Sequence, residues 1–237
     1  MIGDTPVIYE NRRTNVRPLH GRTMAPNKST QAYDVLERMI IFQDIQAGVM
    51  VSEAELMEKS GFGRTPLREA LQRLSRDNLV QVVPRRGILV PPISVEAQFK
   101  LLETRRPLEE LAATLAATRA RPEQQAAALQ RASEFKNFTE RDLHELERVL
   151  RAGHELVAKS TQNQFLENAM APLQGLSRRF WFAHLRSDPD DVAIAIDRHG
   201  ELLTAIGEQD QERAIAAARS LIDYLTEFAY ASVKVPA

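Results

Sequence analysis

The sequence predicts a mostly α protein, with three helices and a two-stranded wing at the amino end and an all-α helical bundle behind them. Three observations predict it. Apolar residues recur at helical spacing from Thr30 to Leu74, and two short β-branched runs follow at 79–83 and 88–90. Beyond Pro91-Pro92 every sustained pattern is helical.

Residues 1–29 show no sustained periodicity and read as a flexible arm. Its Arg12, Arg13, Arg17, Arg22 and Lys28 are either a solvated tail or a set of phosphate contacts. Ala32, Leu36, Met39 and Ile40 share one face of a first helix, expected to end near Ala47-Gly48. Ser52 and Glu55 have capping-box spacing and start a second, short helix, which Gly61 would end. A third is expected to begin with Thr65 as N-cap and Pro66 at the first helical position. Its buried stripe is Leu67, Ala70, Leu71 and Leu74. Pro84-Arg85-Arg86-Gly87 turns between the two strands. Residues 30–92 therefore have the plan of a winged helix-turn-helix. Pro91-Pro92 is a stiff link that extends neither strand nor helix. The bundle, 93–231, is expected to hold helices at 94–119, 122–136, 139–160, 163–185, 189–207 and 210–231, with a tail at 232–237.

The 237 residues, 43% hydrophobic and 27% charged, suffice for two modest domains. A net charge of -1 is uninformative, but its distribution is not. Residues 1–95 hold 13 Lys+Arg against 10 Asp+Glu, and the remainder 18 against 22, the asymmetry expected of a DNA-binding amino half. The absence of cysteine excludes disulfides, zinc-thiolate sites and thiol catalysis. No apolar run approaches a membrane span and the amino end lacks an apolar signal core, so a cytoplasmic protein with no membrane partner is expected. No Glu-x-x-His pair, Gly-x-Ser-x-Gly elbow or phosphate-binding glycine loop is present, so the chain is not expected to be an enzyme.

Arg64 and Arg68 lie one turn apart at the amino end of the third helix. In a helix-turn-helix that end enters the major groove, where arginine forms paired hydrogen bonds to guanine. Thr65 and Gln72 suit phosphates, and Arg85 or Arg86 at the wing tip suits phosphate or the minor groove. A solvated helix face is the alternative. Two points oppose it: the apolar stripe occupies the other side, and the helix dipole disfavours cations at this end unless an anion is near.

Residues 31–90 resemble the amino-terminal domain of the GntR family of transcriptional regulators. The carrying residues are Glu55-Leu56, Gly61, Arg64 through Leu71, Arg73-Leu74, Asn78-Leu79-Val80 and Pro84 through Gly87. The resemblance implies Arg64, Thr65 and Arg68 as base and phosphate readers, and Gly87 as the residue that lets the wing approach the DNA backbone. It also implies a homodimer reading a palindromic double-stranded operator, with repression relieved by an effector.

In the helical half, Leu101, Arg105, Leu108, Ala112 and Leu115 share a face, so Arg105 points where a core residue belongs. Its partner is either a protein carboxylate such as Glu109 or the carboxylate of a small ligand, unless it snorkels outward. His154 falls with Leu146, Leu150 and Val157, and His199 with Val192, Ile196, Leu203 and Ile206. Each is a core histidine or, together, part of a shared cavity. Phe180-Trp181-Phe182 and His184 read as core packing or, alternatively, a pocket wall.

This half resembles the FCD ligand-binding domain of the FadR branch, in its shorter, VanR-like version. The matching pieces are Arg105 through Glu109, His154 with Asn163, His199 before Leu202-Leu203 and Ala205-Ile206, and Asp210. Many FCD domains hold a divalent metal through one Asp and three His, and the resemblance places those ligands at Leu150, His154, His199 and Leu221. Two of the four are leucine, so no cofactor is expected, with weak divalent binding (Glu147 as a substitute ligand) the alternative. The expected effector site is a metal-free cavity in which Arg105, His154 and His199 bind an organic acid or similar metabolite.

Overall fold

The computed structural model describes residues 27–138, 142–185 and 189–233. Arg12, Arg13, Arg17 and Arg22 lie outside them. Lys28 does not belong to an arm: it opens α1 (Lys28–Ile41), which Asn27 caps by accepting from the Ser29 N–H at 2.7 Å. The helix stops at Ile41, short of Ala47, because Gln43 takes a left-handed φ of 62°. The chain so freed supplies β1 (Met50–Val51).

α2 (Glu53–Ser60) has both halves of its capping box, and Gly61 closes it at φ 73°. α3 (Arg64–Arg76) is capped by Gly63, not Thr65. Thr65 and Pro66 lie inside its first turn, and the first intrahelical bond runs from Leu67 N–H to the Gly63 carbonyl at 3.2 Å. Pro66 therefore still sits where an N–H would have no partner. At the other end Asn78 takes φ 60°, and the Leu79 and Asn78 N–H groups donate to the Leu74 and Ser75 carbonyls. These are the two bonds of a Schellman closure, with Leu79 packed back on Leu74.

The hairpin pairs β2 (Gln81–Val83) with β3 (Gly87–Leu89). Pro84 followed by Arg85 at φ 62°, with Arg86 N–H on the Val83 carbonyl at 3.0 Å, has the form of a type II turn. The sheet has three strands in the order β1-β3-β2, not two: Met50 and Val51 pair with Leu89 and Ile88. This explains Gly87. Its φ is 122°, and a Cβ there would lie 2.7 Å from the Val51 carbonyl oxygen of β1. The glycine is required by the protein's own sheet.

The bundle consists of α4 (Val95–Arg119), α5 (Pro122–Lys136), α6 (Leu143–Ser160), α7 (Gln164–His184), α8 (Pro189–Gly207) and α9 (Gln211–Val233). The start expected for α6 at 139 falls partly outside the described residues. α9 continues through Ser232 and Val233, which were expected in the tail. In α4 the buried stripe runs through Leu102, Arg105, Glu109, Ala112 and Ala116, while Leu101, Leu108 and Leu115 lie at its margin. Each domain has its own core, one around Leu36, Leu67 and Leu74, the other around Phe135, Leu146 and Leu203. The two cores abut. Ile41 of α1 belongs to the bundle core, and Leu176 of α7 packs against the winged core.

Candidate functional site

The surface of α3 away from its buried stripe exposes Arg64, Thr65, Arg68 and Gln72, and the wing tip exposes Arg85 and Arg86. The side chains of Arg64, Arg85 and Arg86 form no hydrogen bond or ion pair with any described residue. Arg64 is the first residue of α3, at the positive end of its dipole, so an anion placed there is favoured twice over. Arg68 is engaged: its Nε donates to both Glu53 carboxylate oxygens of α2, at 3.0 and 3.1 Å. This pair is largely exposed, and such pairs contribute at most about 1 kcal/mol, so an external anion can take Arg68 from Glu53 at small cost.

Inside the bundle, His154 of α6 and His199 of α8 meet directly, Nε2 to Nε2 at 2.9 Å. A carbonyl only accepts, so the His199 Nδ1–H donates to Ala195 O at 2.6 Å. The His199 Nε2 must then accept from the His154 Nε2–H, leaving His154 Nδ1 to accept from Arg178 Nη1 of α7 at 3.3 Å. Both rings are neutral in this chain of bonds. Burial, helped by His199, Arg178 and Arg105, holds His154 well below the ordinary histidine range. Burial pushes His199 from 6.5 to about 4, against the Ala195 hydrogen bond.

Arg105, His154 and His199 do line one cavity, with Leu150 and Trp181. The cavity holds about 20 Å³, room for one water and not for an organic acid. Arg105 is not free to meet a ligand. Both it and Glu109 are buried, and its Nη2 and Nε donate to Glu109 Oε1 at 2.5 and 3.2 Å. The internal ion pair is the alternative the structure adopts. Of the aromatic cluster, Phe180, Trp181 and Phe182 are core residues, Trp181 donating to Tyr224 Oη at 2.9 Å and also walling the small cavity.

The histidine pair does not fit a divalent cation. Leu150 lines the cavity beside it with an apolar side chain, Leu221 is core, and the guanidinium groups of Arg105 and Arg178 repel a cation. Among the described residues no three His, Cys, Asp or Glu side chains are grouped to hold a metal. Glu147 instead lies 3.4 Å from Arg178 Nε, its carboxylate oxygens accepting no hydrogen bond and its pKa raised by burial.

Sequence reasoning missed Arg178, the residue that joins these features to the winged domain. Its Nη2 donates at 2.9 Å to Oε1 of Glu37, a buried carboxylate on α1. Arg151 of α6 pairs with Glu37 at 3.3 Å and with Asp34. Arg179 donates to the Pro91 carbonyl of the linker. Gly175 makes the approach possible: a Cβ there would lie 2.9 Å from Glu37 Oε1. The only local signal was Arg178-Arg179 next to an aromatic run, which is not diagnostic.

Residues 28–90 match the gntR family of bacterial regulatory proteins, and residues 100–224 match the FCD domain. The HTH-type transcriptional repressor GlaR of Escherichia coli is 27% identical over 194 residues, covering 78% of this chain and 88% of GlaR. The HTH-type regulator YdhC of Bacillus subtilis is 28% identical over 152 residues, 62% of this chain and 66% of YdhC. The solved structure of E. coli McbR/YncC superposes with a TM-score of 0.73 at 20% identity, covering 89% of this chain and 100% of that one. GlaR and YdhC are transcriptional regulators, in line with the expectation that the chain is not an enzyme. Among the described residues no helix is long and apolar enough to cross a membrane.

Proposed function

Since the chain belongs to the GntR family of bacterial regulatory proteins, with an FCD domain behind its winged helix, we propose that it is a cytoplasmic repressor that reads a palindromic operator as a homodimer. Arg64, Thr65, Arg68 and Gln72 enter the major groove, and Arg85 and Arg86 of the wing reach the adjacent backbone or minor groove. The observation that carries this reading is Arg64: an exposed cation at the positive end of α3, unpaired among the described residues. Two copies related by a two-fold axis would present two such helices to half-sites about one helical turn apart. Selection of bound fragments from a genomic library tests it. Enrichment of one palindrome is expected; recovery of fragments with no common motif would contradict it.

Operator affinity in this reading is set by a small organic acid acting on the helical domain, through its different affinities for two placements of the winged domains. Tight metal binding forms no part of it. Calorimetric titration with zinc, manganese or nickel salts should show no stoichiometric tight site, and finding one would overturn this point. The small cavity at the histidine pair favours a second reading, a DNA-binding dimer that senses nothing. Thermal-shift screening of organic acids separates the two, since a bound effector raises the melting temperature.

A further inference from the structure

A cleft of about 380 Å³ lies between the two domains, in the size range of small-ligand sites at about 300–1,000 Å³. Five cations line it: Arg73 and Arg76 from α3, Arg151 and Lys159 from α6, and Arg178 from α7. Several are spent within the protein. Lys159 pairs with Glu155, and Arg73 lies over the Tyr33 ring at 4.3 Å. The Arg76 side chain forms no hydrogen bond or ion pair with any described residue. Arg178 is 8% exposed, and its Nε faces Glu147 Oε1 at 3.4 Å without a hydrogen bond. Of the lining acids, Glu37 holds Arg178 and Arg151, Asp77 accepts from Tyr33 Oη at 2.7 Å, Glu155 holds Lys159 and the Arg151 Nε, and Glu167 adds a fourth.

We propose that this cleft binds a small dicarboxylate, which takes Arg178 and Arg151 from Glu37 and so loosens α1 from α7. A carboxylate is the group these two guanidiniums already hold, and paired N–H donors suit its planar geometry. Glu37 is thus a built-in occupant, delivered by the winged domain to a cationic site of the bundle. A free dicarboxylate makes the same contact with one end and reaches Arg76 of α3 with the other. Ligand and docked α1 compete for the same donors, so by linkage the undocked chain binds the ligand more tightly. The consequence for DNA rests on the operator reading above; the binding itself does not.

Calorimetric titration of succinate into the full chain without DNA tests the site separately from that reading. Saturable binding at one per chain is expected. Removing the competitor in Glu37→Gln should tighten it about tenfold, and Arg76→Gln should weaken it by a similar factor, each on the order of 1.4 kcal/mol. Gly175→Ala, which drives a methyl into Glu37 Oε1 without changing charge, should tighten binding in the same sense and stands in if Glu37→Gln fails to fold. Absence of saturable heat in wild type and Gly175→Ala would overturn the proposal. So would unchanged affinity in the folded variants, or equal binding of inorganic phosphate at matched ionic strength.

Discussion

Arg178 serves three groups at once: Glu37 in the winged domain, the His154 ring in the bundle, and Glu147 beside it. The bonds it starts require both histidines to be neutral, which fixes a pH dependence. Between pH 6.5 and about 4 the unfolded chain takes up a proton that folded His199 refuses. The His199 contribution is therefore complete above that window, is lost as pH drops through it, and is gone below it. His199 alone accounts for about 3 kcal/mol of the loss. Urea unfolding at a series of pH values should show this slope, and His199→Asn should flatten it. Arg105 belongs to the same scale. Because Glu109 is its partner, Arg105→Met should cost about 3–5 kcal/mol of stability by leaving a buried carboxylate uncompensated. Denaturant titration reads this directly, and an unchanged midpoint would restore Arg105 to the ligand-binding role. On DNA, Arg64→Ala should cost about 1–3 kcal/mol on the preferred operator and relax its base preference. Equal weakening on every sequence would reassign Arg64 to phosphate.

At the scale of elements, local signals were legible and distant ones were not. The Ser52–Glu55 capping box, the Gly61 stop, the α3 stripe and six bundle helices could all be read, because each is written within a few residues. The Thr65-Pro66 pair misled by two residues, since proline is tolerated throughout the first turn and glycine at 63 caps with no side-chain signature. β1, two residues long, has too little sequence to show a period, and exists because β3 offers it a free edge. With it the role of Gly87 changes. Gly87→Ala should destabilise the winged domain by about 1–3 kcal/mol, through left-handed strain and collision with Val51. Thermal unfolding of that variant checks it, and a melting temperature equal to wild type would mean the sheet can yield.

At the scale of the molecule, the sequence could not show that the domains are joined by buried charge. Arg178 and Glu37 are 141 residues apart, and nothing local to either says that they meet. Nor does periodicity reveal whether a cavity lined by two histidines and an arginine is open or filled; neighbouring side chains close this one to about 20 Å³. The molecule is a DNA-reading domain held against a helical bundle by Glu37, Asp34, Arg151 and Arg178, with a polar cleft alongside. Every regulatory consequence of that arrangement depends on the reading head being specific. The most direct test is the ratio of affinities of the full chain for its selected palindrome and for a shuffled duplex of equal length, at one fixed salt concentration. A ratio of about 10³ or more is expected, reduced about 5- to 150-fold in Arg64→Ala. Equal affinity for the two duplexes would contradict it.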